Sequence, residues 1–575
     1  MAPGRRPHGS RTGRDATAAV ATPSWLARRA PLLILAATLV FVTIVRLRVA
    51  DVPLERDEGE YAYAGQLILD GVPPYTQAYN MKFPGTYYAY SLVFAALGQT
   101  PRAIRTGLLG VNLLTIVAMF AVGRRLMDDV SAAVGASAFS FLALDRGVMG
   151  IFAHATHFAL LPVLAGLWLL LRARESTRPY LHVLAGALLG LAVLMKQHAV
   201  LFVPFALVWA WHAERRRAGV GRAMWVRLGA LAVGVALPFG AMCAVFAAQG
   251  IAGRFWFWTF SYAREYVTEL SWAEAADLFT FSLGEVTRAT LWWWVLAAAG
   301  LLALWVGRPF AARRGDRDAS GFLTGLTLAS ALAICPGFYF REYYFILMLP
   351  AVGLLVAAAL DAVARVSGRL TSPIGGRIAA GLVFAALVGG YVVQEQAYLF
   401  AMSPREISRS RYPEQPFVEA VSIAQYLADH TGPADQIAVL GSEPEIYFLA
   451  HRRSATGYIY MYPLVEPQKY ASRMQAETID EIERAHPKYV VFVQVAASWA
   501  VQPGADQHIV EWANEYTSRC YARVGVAEVD AAQPAEPRWA AAAAGYHPQS
   551  ENVIYTFVRA SDAPCRAGAA SGGAR

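Results

Sequence analysis

The chain has 575 residues, of which 56% are hydrophobic and only 16% charged. That balance excludes an ordinary soluble protein, while a mean hydropathy of +0.36 is too low for a chain that lies wholly in lipid. The formal charge of +8 does not mark a nucleic-acid binder, because the basic residues are spread through short loops between apolar segments.

In chain order, the basic N-terminal stretch is poor in structure formers, and residues 1–26 are read as a disordered cytoplasmic tail. The apolar run behind it is longer than a signal-peptide core and shows no evident small-residue cleavage site, so it is read as a retained first span. Apolar segments then recur at 27–47, 103–123, 130–148, 154–171, 181–195, 198–213, 228–249, 291–307, 319–336, 343–364 and 377–398. About 11 spans predict a polytopic α-helical membrane protein. Every second loop is arginine-rich: Arg124 and Arg125; Arg172, Arg174 and Arg178; Arg215, Arg216, Arg217, Arg222 and Arg227; Arg308, Arg313, Arg314 and Arg317; Arg365, Arg369 and Arg377. The positive-inside rule makes those loops cytoplasmic. Arg46 and Arg48 break the rule at the outer end of span one, where snorkelling and an anionic ligand both account for them.

The organisation expected is a membrane domain over 27–400 with an outer loop at 50–102, then a soluble domain over 401–565 and a short tail over 566–575. Beyond residue 400 the apolar runs shorten to strand length, as in QIAVL (436–440), KYVVFV (488–493) and NVIYTFVRA (552–560). Amphipathic stretches alternate with them, which predicts a compact α/β domain outside the cytoplasm. Of the four cysteines, Cys520 and Cys565 fall there. A disulfide between them and two unpaired thiols are both open. The tail is Ala/Gly/Ser-rich and reads as disordered.

The first outer loop carries the densest chemistry. ERDEGEYAYAGQLILDG predicts a helix from Asp57 to Asp70-Gly71, and a second helix follows Pro84-Gly85. Both are read as amphipathic pieces lying flat at the interface. Asp57 with Glu60 resembles a capping box, which accounts for Asp57 locally. It leaves Glu58 unexplained, along with the nearby cations Arg56, Lys82, Arg102 and Arg105. A carboxylate pair facing cations at a membrane surface suits proton acceptance beside a bound phosphate.

Asp57-Glu58 with Tyr61, Gly71-x-x-x-Tyr75 and Lys82-Phe83-Pro84-Gly85 together resemble the first periplasmic loop of the GT-C glycosyltransferases. The resemblance is to the branch of the protein O-mannosyltransferases and lipid A aminoarabinose transferases, with Lys-Phe-Pro where the latter have Lys-Pro-Pro. GLAVLMKQHAVLFVP (190–204) and FYFREYYFILMLPAVGLL (338–355) extend it over most of residues 30–400. The resemblance implies a GT-C-type fold with a C-terminal extracytoplasmic domain. It implies inverting transfer of a sugar from a polyprenyl-phosphate donor to an envelope lipid, glycan or protein, in a multi-pass bacterial inner-membrane enzyme.

On that reading Asp57 is the general base, with a pKa raised by partial desolvation, and Glu58 supports it. Lys82, Lys196 and Arg341 hold the donor phosphate, and Tyr61 and Tyr343 touch sugar or acceptor. Lys196, next to a span end, is also explained by snorkelling. His154 and His157 stand where relatives often place a second acid, and their spacing fits a metal pair or an ordinary span cap. No metal-ligand set is assigned. A divalent cation is open, since an Asp-Glu pair is an incomplete cage unless substrate phosphate completes it. The aromatic segment 253–270 suits sugar stacking or an interfacial belt. The competing reading of the whole chain, a lipid or solute transporter, predicts polar residues at the midplane of several spans, whereas the charges here gather on the outer side. A non-catalytic scaffold would need only one span.

Overall fold

The computed structural model describes residues 25–176, 178–267, 270–306, 316–530 and 536–561. Arg308, Arg313, Arg314, Cys565 and nearly all of both expected tails lie outside the described residues. The first helix, α1 (Trp25–Arg48), already includes the last two positions of the expected N-terminal tail.

Each of the expected apolar segments carries a helix. After α1 come α2 (Arg56–Leu69) and α3 (Gly85–Leu97) of the outer loop, then α4 (Pro101–Leu126), α5 (Asp129–Leu142), α6 (Ala155–Ala173), α7 (Tyr180–Met195), α8 (Phe202–Ala218) and α9 (Arg222–Ala248). Leu291–Val306, Asp316–Ala333, Leu349–Leu370 and Pro373–Gln394 follow. Among the described residues, six helices are long and apolar enough to cross a bilayer, or seven if Trp272–Thr287 and Leu291–Val306, bent by 103°, form one broken span. Side chains such as Val233, Leu382 and Val393 stand exposed on these helices, as a hydrocarbon environment requires. The chain is a multi-pass membrane protein.

One end of the bundle is tied by arginines. Arg125 bonds Glu175 at 2.9 Å, Arg174 bonds Asp318 at 2.7 Å and Arg217 bonds the Ser176 carbonyl at 2.7 Å. Arg46 and Arg48 are held by protein groups. Arg46 donates to Asn112 at 3.2 Å and the Gly150 carbonyl at 3.0 Å, while Arg48 donates to the carbonyls of Tyr398, Leu399 and Met402, each at 2.8 Å. Both satisfy backbone that would otherwise be orphaned near the bilayer.

The C-terminal region forms a mixed sheet of β1 (Gln436–Leu440), β2 (Arg453–Ser454), β3 (Tyr489–Gln494), β4 (Tyr521–Glu528), β5 (Arg538–Trp539) and β6 (Val553–Arg559), in the order β2-β1-β3-β6-β4-β5. β1 runs parallel to β2 and β3, and the remaining pairs are antiparallel. The buried middle of β3, Val490 to Val493, explains why that run reads as continuous hydrophobics.

The outer-loop helices are packed inside the protein rather than bare on one face. Glu58 to Leu67 of α2 are all buried. Tyr61, Tyr63, Tyr87, Tyr90 and Phe94 share one apolar core with Ile423, Leu427, Val439, Ile446 and Val491 of the C-terminal region. The loop is sandwiched between bundle and sheet because its tyrosines give it an apolar surface on both faces. Gly59 makes the closest approach: a Cβ there would fall 2.5 Å from the Glu445 backbone nitrogen and 2.8 Å from its Cα. Only a residue without a side chain lets α2 touch the backbone that opens the helix Glu445–Ala450. Gly59→Ala should therefore cost about 1–3 kcal/mol through overpacking, read as a lower thermal midpoint in detergent and faster proteolysis between the bundle and the sheet; an unchanged midpoint would show that this contact does not seat the domain.

Candidate active site

The N-terminus of α2 decides which carboxylates are free. Its cap is Glu55, not Asp57. Glu55 Oε1 accepts from the Glu58 amide at 2.8 Å and Oε2 from the Asp57 amide at 3.0 Å. Glu58 closes the capping box by accepting from the Glu55 amide at 3.3 Å. The capping box is shifted two residues from the Asp57-Glu60 pair expected, because the longer Glu55 side chain reaches back over the first turn. Asp57 is thereby released from helix capping.

Glu58 turns away from Asp57's environment. It is wholly buried, paired with both Nη atoms of Arg105, and accepts from the Ala153 amide at 2.5 Å. It joins α2 to α4 and to the segment before α6, and its carboxylate is occupied by Arg105 and the Ala153 amide rather than turned toward Asp57. The other cations expected around the pair are also committed. Arg102 meets Asp51 on the surface, and Arg56 reaches into the C-terminal region, to the Ser442 carbonyl at 2.5 Å, Gln415 at 2.8 Å and Glu443 at 3.1 Å.

Asp57 gathers contacts from distant parts of the chain. Lys82 Nζ bonds its Oδ1 at 2.8 Å, the Tyr343 hydroxyl donates to Oδ2 at 3.0 Å, and the Tyr460 hydroxyl reaches Oδ1 at 3.3 Å. Lys82 also bonds Glu60, which accepts from Tyr87 at 2.5 Å, and its ammonium lies 4.6 Å from the centre of the Tyr61 ring. Burial alone raises the Asp57 carboxyl, but the charge and hydrogen bond of Lys82, with Lys196 behind it, more than offset it and hold it well below the usual carboxylate range. The raised pKa expected for Asp57 is therefore reversed, because the desolvating surroundings also bring cations within reach. Burial lowers Lys82, yet Asp57 and Glu60 push it well above the ordinary lysine value. Lys82 is thus saturated by carboxylates and is not a free phosphate ligand.

Lys196 is the opposite case. Gly85 and Thr86 place it: a Cβ on Gly85 would fall 2.5 Å from the Leu194 carbonyl, and Thr86 donates to the Met195 carbonyl at 2.9 Å. The Lys-Phe-Pro-Gly run of the loop thereby docks on the end of α7. Lys196 is buried, lies 4.6 Å from the Tyr344 ring centre and 5.7 Å from that of Tyr343, and makes no ion pair among the described residues. Burial, opposed by Asp57, lowers it to about 8. Arg341 sits two residues before Tyr343, 5.6 Å from the Tyr339 ring centre, also with no carboxylate partner among the described residues. Its neighbour Glu342 pairs instead with Arg411 at 3.7 Å. Lys196, framed by Tyr343 and Tyr344, lies close enough for its charge to act on the Asp57 carboxylate, and Arg341 stands on the segment that presents Tyr343 to it.

His154, the residue before α6, stacks on Tyr343 with ring centres 4.0 Å apart. Its Nδ1 lies 3.6 Å from Glu55 and 4.0 Å from Asp57, and neither ring nitrogen has a hydrogen-bond partner. Burial pushes it down to about 3, so the ring is neutral and can donate a lone pair. Glu55, Asp57 and His154 bring three ligand atoms within 4.8 Å of one another, a donor set that fits a divalent cation with open positions for substrate. His157 takes no part in that cluster. The aromatic segment 253–270 is occupied in packing: Trp258 stacks on Tyr79 at 5.2 Å and Phe257 meets Tyr470 at 5.1 Å. Glu55 and Tyr460 do not stand out in the sequence, and Glu60 is read there only as a capping partner of Asp57. Glu60 is one helical turn from Asp57, a usable signal; Tyr460, from the far end of the chain, offers none.

Residues 81–242 match the family model of the dolichyl-phosphate-mannose-protein mannosyltransferases, a segment that holds Lys82, His154 and Lys196 but not Asp57 or Arg341. No curated protein matches the chain as a relative. Among solved structures, the chain is similar to the archaeal oligosaccharyltransferase AglB from Archaeoglobus fulgidus, in complex with an inhibitory peptide and a dolichol-phosphate. That likeness has a TM-score of 0.55 at 14% identity and covers 88% of this chain and 74% of that one. It is similar also to ArnT from Cupriavidus metallidurans bound to undecaprenyl phosphate, with a TM-score of 0.52 at 14% identity over 92% of this chain and 98% of that one. Over residues 81–242 the chain is thus similar to that mannosyltransferase family, and its overall fold is similar to those of AglB and ArnT.

Proposed function

We propose that this protein is an inverting glycosyltransferase that moves a sugar from a polyprenyl-phosphate donor to a lipid, glycan or protein acceptor of the cell envelope. The observation that carries the reading is a deprotonated, half-buried Asp57 held by Lys82 and Tyr343, with the charge of Lys196 acting on it and Arg341 two residues before Tyr343. The donor's phosphate would sit between Lys196 and Arg341, and leaving-group charge would develop where fixed positive charge already stands. The acceptor hydroxyl would approach Asp57. As its oxygen bonds to the anomeric carbon and the bond to phosphate breaks, the hydroxyl proton passes to an Asp57 oxygen. A carboxylate held at low pKa is a weak base in the ground state. It remains charged at every working pH, and it stabilises the positive charge that the sugar ring gains at the transition state. Lys82 keeps that carboxylate ionised, with Glu60 balancing the extra charge. Tyr343 and Tyr61 line the space for sugar or acceptor. A divalent cation on Glu55, Asp57 and His154 would add positive charge beside the donor phosphate.

The topology supported by loop charge has eleven crossings. On it the arginine-tied end faces the cytoplasm, and Asp57 and the C-terminal domain lie outside a bacterial inner membrane.

Purified protein should transfer label from at least one of a panel of radiolabelled polyprenyl-phosphate sugars to envelope acceptors. Asp57→Asn, equal in size, should lose about 10²–10⁴-fold of that rate while still binding undecaprenyl phosphate. Equal transfer by both proteins would remove Asp57 from the mechanism, and movement of the intact lipid without transfer would favour a transporter.

A second outcome concerns pH. With Lys196 titrating at about 8, its charge is present below that value and lost above it. Affinity for undecaprenyl phosphate should fall about tenfold from about pH 7 to about pH 9. Lys196→Arg should flatten that fall, and Lys196→Met should bind weakly at both ends.

A further inference from the structure

The C-terminal domain sends one side chain into the Asp57 site. Tyr460 follows β2 on a segment held from several directions. The Tyr79 amide donates to the Gly457 carbonyl at 2.8 Å, the Gly457 amide and Thr456 hydroxyl bond Glu481 at 2.9 and 2.6 Å, and the Met461 amide donates to Ser442 Oγ at 3.0 Å. Ser442 is in turn the residue whose carbonyl Arg56 grips. The ring is buried, stacks on Tyr462 at 24° and lies 5.7 Å from the Lys82 ammonium. Its hydroxyl stands 3.0 Å from the Arg56 carbonyl and 3.3 Å from Asp57 Oδ1.

Asp57 is therefore fixed by contacts from three places: Lys82 on the loop, Tyr343 between two membrane helices, and Tyr460 on the soluble domain. Lys82 and Tyr343 pull on different oxygens, and each also serves another group: Lys82 bonds Glu60, and Tyr343 stacks on His154. Without a further contact, rotation of the carboxylate about its last torsion toward Lys82 is opposed only by Tyr343. That torsion is broad and soft. The Tyr460 hydroxyl borders the carboxylate from the side where the C-terminal domain closes over α2.

We propose that Tyr460 is a positioning residue for the Asp57 carboxylate, so that the membrane domain's reacting group is set in its working orientation only when the C-terminal domain is seated. This inference rests on the transferase reading above. The single Tyr460 hydroxyl proton is shared between the Arg56 carbonyl at 3.0 Å and Asp57 Oδ1 at 3.3 Å; it is not transferred, and its effect on the reaction passes through Asp57. Orientation of a reacting carboxylate bears on the transition state more than on donor binding.

The test uses the full chain in detergent, with the donor and acceptor pair on which the parent is active, and the variants Tyr460→Phe, Asp57→Asn and the double variant. Tyr460→Phe keeps the ring and its packing. It should lower kcat about tenfold with donor KM and thermal midpoint unchanged. In the Asp57→Asn background the same change should have no further effect, since the group it positions is gone. A Tyr460→Phe protein as active as the parent, or one whose loss appears as donor KM or a lower thermal midpoint, overturns the Tyr460 inference. So does an undiminished effect of Tyr460→Phe in the Asp57→Asn background. Failure of the transferase reading looks different: an inactive parent, or an Asp57→Asn protein that transfers as well as the parent.

Discussion

The site is organised around one ammonium group. Lys82 sits between a half-buried Asp57 and a fully buried Glu60, with 19% of its own side chain exposed. Partial desolvation raises both the cost of holding such charges and their mutual attraction. The consequence is a carboxylate that stays charged with little contact with solvent. The neighbours suit that constraint: Glu60 balances the lysine, Tyr87 satisfies Glu60, Tyr460 shares Asp57 Oδ1 with Lys82, and a hydroxyl rather than a further charge, that of Tyr343, meets Oδ2.

Much of the architecture was legible in the amino-acid order. Span-length apolar runs and alternating arginine loops locate the membrane helices, since hydrocarbon permits few other backbones. Strand-length runs beyond residue 400 mark the sheet region, as β1, β3 and β6 bear out. Asp57, Lys196 and Arg341 could be picked out because charged residues at span ends are expensive enough to need a reason. What was not legible depends on side-chain reach. Whether Glu55 or Asp57 caps α2 turns on a choice between neighbouring rotamers. The difference is decisive, since it converts Glu58 from a site residue into the buried partner of Arg105. The direction of the Asp57 pKa failed for a related reason: desolvation is visible in composition, but the cations that overrule it come from positions far along the chain.

The loop helices illustrate a different limit. Their tyrosines read as an interfacial belt because Tyr suits water–lipid boundaries. The same amphipathic ring suits a crowded protein interface equally well. Only the close fit of Gly59 against Glu445, and the run of buried positions from Glu58 to Leu67, separate the two outcomes. A glycine inside a helix is a weak signal by itself, yet here it marks where two parts of the molecule meet.

That meeting has a temporal side. The core joining Tyr61, Tyr63 and Tyr87 to Ile446 and Val491 links segments made near the start and near the end of synthesis. During insertion, α2 and α3 would wait with an apolar face bare until the sheet has been made and folded against them. A ribosome-bound or prematurely terminated chain would thus display a sticky, chemically idle surface, which quality-control proteases and chaperones could distinguish from the finished molecule.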